Sequence, residues 1–438
     1  MDLLKDNVGK LYRKFFIASF GSALIACIYG LVDMAMVGQY HGPDGSAAMA
    51  VIAPIWNIIY SFGLLCGIGG SVIYAVARGE RDDVKAANGY FTSAFILGTL
   101  WALILWVLVW VCEEPLLRLF GANDALMPLC KEYMIAPKLT VPVYVFINLL
   151  SSFLRNDGDP GRATKAVIFG GIFNVFGDYF FVFTLDMGIK GAGIATAMGA
   201  SMSVLVMLTH FISKKNTLKF VKPLRILNSF KMISANGFSS FIVDVAMGIA
   251  TMLFNRRVME YLGTDALAVY GVIVVVGTLV QCCSYGIGQA AQPVISRNFG
   301  AGLTDRIKTM LKYNIITAAV FGAIWTVLSM AMPQVFIKLF MTPTPEVLSI
   351  APGIIRIYAI SFVLLPFNIY STYYFQAIMR AKISLIASVA RGIVISGALI
   401  LLLPVAFGGN AVWWAMPITE AVVFVYSAVM MKKVKLSR

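Results

Sequence analysis

Asn174 and Asp178 stand four residues apart in FGGIFNVFGDYFFVFTLDMGIKGAGIAT, a stretch over 169–196 that is otherwise almost wholly apolar. That spacing puts both side chains on one face of a helix. An ionisable group in an apolar helix is costly in lipid unless it faces a protein interior or a wet cavity, so it marks an ion or substrate path. Asp33, within LVDMAMVGQY, is a second such acid, and Thr196 adds a hydroxyl on the next helix. At about 1.5 Å per residue, Asp33, Asp178 and Thr196 each fall roughly 10 Å below the same membrane face. Two carboxylates, an amide and a hydroxyl form an all-oxygen set, suited to a proton or a hard small cation and ill suited to a soft metal. The plainer alternative is that these groups only tie helices together by hydrogen bonds.

The elements that must position them are membrane helices. The chain is 59% hydrophobic and 13% charged, with mean hydropathy +0.83, far from the charged quarter of a soluble domain. Its apolar runs are long and continuous, which excludes the alternating strands of an outer-membrane barrel. At roughly 20 to 30 residues per span, the 438 residues hold twelve helices: the expected fold is an all-α polytopic membrane protein. A net charge of +14 would suggest nucleic acid in a soluble chain, yet 27 of the 35 Lys and Arg fall on the face carrying the termini and eight on the other. That asymmetry places both termini in the cytoplasm and removes the nucleic-acid reading. The first apolar run leads into a polar Gly and Asp, so no cleavable signal is expected. Six cysteines without a CxxC pair and only two histidines indicate neither a disulfide framework nor a zinc site.

The second half repeats the first. Gly42, Asp44, Ala47, Val51, Ile52, Gly67 and Gly79 match Gly263, Asp265, Ala268, Val272, Ile273, Gly288 and Gly300 at one constant offset of 221. Asn148 and Ser151 match Asn368 and Ser371 at 220. Six spans separate the copies, so both have the same orientation, a transporter architecture. The expected organisation is a six-helix lobe over 1–212, a basic cytoplasmic linker over 213–232 and a second six-helix lobe over 233–438. RNDGDPGRATK, with its Gly and Pro, reads as a turn between the fourth and fifth helices.

The phrases LVDMAMVGQY, FLRNDGDPGRA, GGIFNVFGDYFFVFTLDMGIKGAGIATA and GQAAQPVISRNFGAG resemble those of the multidrug and toxic compound extrusion (MATE) family of cation-coupled efflux transporters. The resemblance extends over almost the whole chain. It implies two pseudo-symmetric bundles in a V and a cation site in the first lobe at Asp33, Asn174, Asp178 and Thr196. H+ or Na+ would be the coupling ion, with no cofactor and no resident metal. It also implies small organic cations as cargo and a monomer in the lipid of a bacterial plasma membrane. In the second lobe Asp244 and Glu420 are further intramembrane acids, and Gln281 on the eighth helix and Asn148 on the fourth are polar groups that could face a cavity or pack helices. Related members often carry a Glu on helix 7, near which this chain has Asp244.

Two other readings are weaker. An intramembrane aspartyl protease needs GxGD, and Asp178 follows Val175, Phe176 and Gly177, which lacks the first Gly. A lipid-linked oligosaccharide flippase of the same superfamily would bring a cationic central cavity, whereas intramembrane Lys and Arg are nearly absent.

Overall fold

In lipid every backbone N–H and C=O must be satisfied within the chain, and helices do this segment by segment. The computed structural model describes residues 2–81, 83–223, 225–341 and 343–436. It is 89% helical, with no strand among the described residues. Helices α1 (Val8–Gly42), α2 (Asp44–Glu80), α3 (Val84–Val111), α4 (Ile135–Asn156), α5 (Pro160–Thr184) and α6 (Gly188–Ile212) form the first lobe. The second lobe begins with Ile226–Gly300, 75 residues interrupted at Gly263 by φ 80° and ψ −170°. Unbroken, that stretch would run roughly 110 Å, so 226–262 and 264–300 are separate spans, α7 and α8. With α9 (Thr304–Ala331), α10 (Pro345–Ala377), α11 (Ala381–Phe407) and α12 (Gly409–Lys433) the described residues hold twelve spans, Ile226–Gly300 counting as two.

The repeat is visible in the backbone. Gly42, with φ 63° and ψ −146°, turns α1 into α2 as Gly263 turns α7 into α8. Glycine adopts a positive φ with no Cβ penalty, so a single residue makes each turn. The lobes meet near the face where α1 begins. A Cβ on Gly79 would lie 2.1 Å from the Arg297 carbonyl oxygen, and one on Gly300 would lie 2.0 Å from that of Val76. Residues 76 and 79 map onto 297 and 300 at the offset of 221, so the contact is reciprocal. Farther in, Gly237 of α7 presses on the Leu65 carbonyl of α2 in the same way. On the opposite half, Ile28 and Met34 of α1 and Met252 of α7 are exposed.

Two connections differ from the sequence reading. Pro160 opens α5 directly, where its missing N–H costs nothing, so the turn after α4 shrinks to 157–159. A helix already begins at Ile226, inside the expected linker, and the linker's middle is strapped to the first lobe. Asp157 accepts from the Thr217 backbone N–H at 2.9 Å and from the Tyr74 hydroxyl at 3.1 Å, and His210 Nε2 lies 2.8 Å away. Asn88 donates to the Thr217 carbonyl at 3.1 Å and accepts from the Lys219 N–H at 3.0 Å. Phe220 packs on Phe91 and Phe95 with centroids 5.1 and 5.0 Å apart. Beside them burial disfavours the charge on Asp159, but Lys215, Arg162 and His210 outweigh it and hold the carboxyl below its ordinary range. Asp157→Ala leaves several buried donors unpaired and is expected to cost about 2–4 kcal/mol. Thermal unfolding of purified protein checks this. An unchanged melting curve, with the 213–225 strap still resistant to protease, would count against it.

Candidate functional site

Asp33 lies nine residues before the end of α1 at Gly42, Asp178 six before the end of α5 at Thr184, and Thr196 eight into α6 from Gly188. At about 1.5 Å per residue these positions share a depth of roughly 9–14 Å. The helices carrying them come close because small residues face the seam. Gly199 of α6 has no side chain where the Asn174 Cβ lies, and an added Cβ would come within 2.8 Å of it. Immediately after Asp178 the helix widens into a π turn over Tyr179–Thr184, a distortion common at functional sites.

The structure joins three of the four expected residues with the help of a fifth, Tyr133, that the sequence did not reveal. The Tyr133 hydroxyl donates to Asp33 Oδ2 at 3.0 Å and is also within hydrogen-bond reach of Thr196. Asn174 Nδ2 donates to Thr196 Oγ1 at 3.4 Å. Asp178 is fully buried and near enough to Asp33 for their charges to interact. Tyr144 faces both acids. Asp33 Oδ1, Asn174 Oδ1 and both Asp178 oxygens are buried without a hydrogen-bond donor in the protein. Buried polar atoms are rarely left so. A convergent group of acceptors with no donor of their own is what a proton or a small hard cation requires. Tyr133 escaped notice because it ends a short helix, Met127–Tyr133, that breaks from α4 at Met134, where the sequence reads as one span from 129.

In the second lobe, Asp244 Oδ1 accepts from the Tyr285 hydroxyl at 2.7 Å, and Gln281 Nε2 donates to that hydroxyl at 2.6 Å. Asp244 and Tyr285 line a cavity with Ser240, Tyr373, Arg391 and Leu64 of α2. Glu420 does not open onto solvent: Arg391 Nε lies 2.8 Å from Oε1 and Asn368 Nδ2 lies 2.6 Å from Oε2. Asn148 bonds the Tyr144 carbonyl at 3.3 Å and packs against Gly63 of α2. Arg391 corrects the basic tally, because it lies inside α11 (Ala381–Phe407) and not at the inner face.

Solved structures share this fold along nearly its whole length. One, described as an outward-facing multidrug resistance MATE transporter of the MOP superfamily, superimposes with TM-score 0.89 at 22% identity, covering 98% of this chain and 97% of that one. Another, a MOP superfamily transporter from Pyrococcus furiosus described as having a binding pocket of reversed polarity, gives 0.88 at 22% identity, covering 98% and 97%. Two repeated six-helix lobes converging at one membrane face define a membrane transporter, not an enzyme. The sequence profile of the MatE family matches residues 18–180 and 235–401, once in each lobe. The chain belongs to the MATE family. It is similar to the multidrug export protein MepA of Staphylococcus haemolyticus, 24% identical over 425 residues, 95% of this chain and 92% of that protein. The MepA protein of Staphylococcus saprophyticus is 23% identical over 426 residues, with coverage of 95% and 92%.

Proposed function

We propose that this chain is a secondary active multidrug exporter of cationic amphipathic organic compounds, driven by antiport with H+ or Na+ as the two lobes alternate their opening. The coupling ion is taken by Asp33, Asn174, Asp178 and Thr196, with Tyr133 holding Asp33 in place. The observation that carries this reading is the set of four buried acceptor oxygens without donors on α1 and α5. Aromatic side chains bridge the lobes: Phe62 of α2 meets Trp101 of α3 at 4.4 Å and Phe241 of α7 at 4.9 Å. Such faces suit flat organic cations. In this reading the lobes are 1–212 and 233–438, joined through 213–232. Both termini are cytoplasmic, and the protein works as a monomer in a bacterial plasma membrane with no cofactor. Arg391 is tied to Glu420 and so does not supply the cationic central cavity that a flippase for lipid-linked oligosaccharides would use.

The test is efflux of a fluorescent organic cation from liposomes holding the purified protein, with proton and sodium gradients imposed one at a time. One of the two gradients is expected to drive concentrative transport. Efflux indifferent to both would overturn the coupling.

A further inference from the structure

Helices α5 and α6 touch through Gly170 and Gly199, where a Cβ on either would lie 2.6 Å from the other's carbonyl oxygen. Their counterparts at the offset of 221 are Arg391 and Glu420, and these touch as well, as an ion pair of 2.8 Å between α11 and α12. The glutamate side chain is 0% exposed and the arginine 11%. Asn368 Nδ2 holds the second carboxylate oxygen at 2.6 Å and the Glu420 carbonyl at 2.8 Å. The same offset carries Asp33, Asn174 and Asp178 onto Phe254, Ile395 and Leu399. The second lobe thus lacks the acids of the first and has, where the first has only backbone, an acid with its own cation.

We infer that Arg391 is a tethered cation, holding permanently at Glu420 the charge that the first lobe must take from solution, and so keeping Glu420 out of ion coupling. A buried carboxylate is either paired or neutralised. Arg391 pairs Glu420 through a covalent side chain that cannot be exchanged. The other groups facing the pair are Tyr358 of α10, Tyr285 of α8 and Asp244 of α7. None of these is a cation, so without Arg391 the carboxylate of Glu420, with Asn368 beside it, must take up a proton or Na+. Removing both partners leaves this helix contact neutral, a change that buried ion pairs commonly tolerate.

This inference rests on the first-lobe coupling proposed above, but the charge state of Glu420 is measurable without transport. The infrared band of protonated carboxyl groups is recorded on the purified full chain in sodium-free buffer, where only a proton can replace the arginine, as pH is stepped through neutrality. The parent and Glu420→Gln should give equal bands, because Arg391 and Asn368 already occupy both carboxylate oxygens of Glu420. Arg391→Gln should gain one carboxyl per chain, and Arg391→Gln with Glu420→Gln should return to the parent. A band present in the parent and missing in Glu420→Gln overturns the inference, and that comparison needs no arginine variant to fold. An Arg391→Gln spectrum without the extra carboxyl also overturns it. In liposomes the double variant should export with the ion dependence of the parent; loss of coupling there would place the ion at Glu420 and overturn the inference. Coupling that survives in Asp178→Asn would instead overturn the first-lobe reading, with the measured charge of Glu420 unaffected.

Discussion

Asp178→Asn is expected to abolish concentrative export while the protein still inserts and folds. The amide keeps the shape of the side chain and loses the exchangeable charge. A coupled exporter works because ion and substrate bias the same conformational equilibrium, and that coupling is reciprocal between sites. A tenfold gradient of the coupling ion, exchanged one for one with a monovalent organic cation, supplies about 1.4 kcal/mol, enough to hold roughly a tenfold concentration ratio. Without a site for the ion the ratio at steady state should fall to about 1, although substrate binding persists. Asn174→Ala and Thr196→Ala each remove one neutral ligand and should weaken ion affinity more mildly, by about 1 kcal/mol. Dye accumulation by liposomes, normalised to folded protein, reads all three. If the cluster were only structural, yields would drop and transport per folded molecule would not change.

The second large effect is expected at the contact between the lobes. Gly79→Ala with Gly300→Ala would drive each new methyl against a backbone carbonyl, at 2.1 and 2.0 Å in the present packing. No rotamer change relieves a clash with backbone. Overpacking costs about 1–3 kcal/mol per site. The pair should therefore shift the population at least tenfold away from the state closed at this face. Spin labels at Lys85 of α3 and Lys308 of α9, both exposed near that face, should report a longer distance in the double variant. The parent distance distribution together with parent transport would show that the glycine contact is not a gate.

Much of this architecture was legible because membrane helices leave a coarse and reliable trace. The apolar runs mark the spans, and a constant offset of 221 pairs Gly42 with Gly263, whose backbones then prove alike. The spacing of Asn174 and Asp178, with a depth count for Asp33 and Thr196, located a cluster that the structure draws together around Tyr133. What the sequence hid depended on tertiary contact. A break at Met134 frees Tyr133 from the span it seemed to begin. In the sequence Arg391 counts with the basic face that carries the termini although it lies within α11, and only its contact with Glu420 shows what it does there. The strap over 217–221 is held by Asp157 and Asn88, from two distant segments that no local pattern connects with it.

The central claim, that an ion bound at Asp33, Asn174, Asp178 and Thr196 is exchanged for substrate, is most directly tested by ion release. Purified protein in weakly buffered detergent solution receives a fluorescent organic cation while a pH indicator and a sodium electrode follow the medium. The parent should release protons or Na+ in proportion to the compound bound, and Asp178→Asn should release neither while still binding it. Equal release from both proteins would contradict the account.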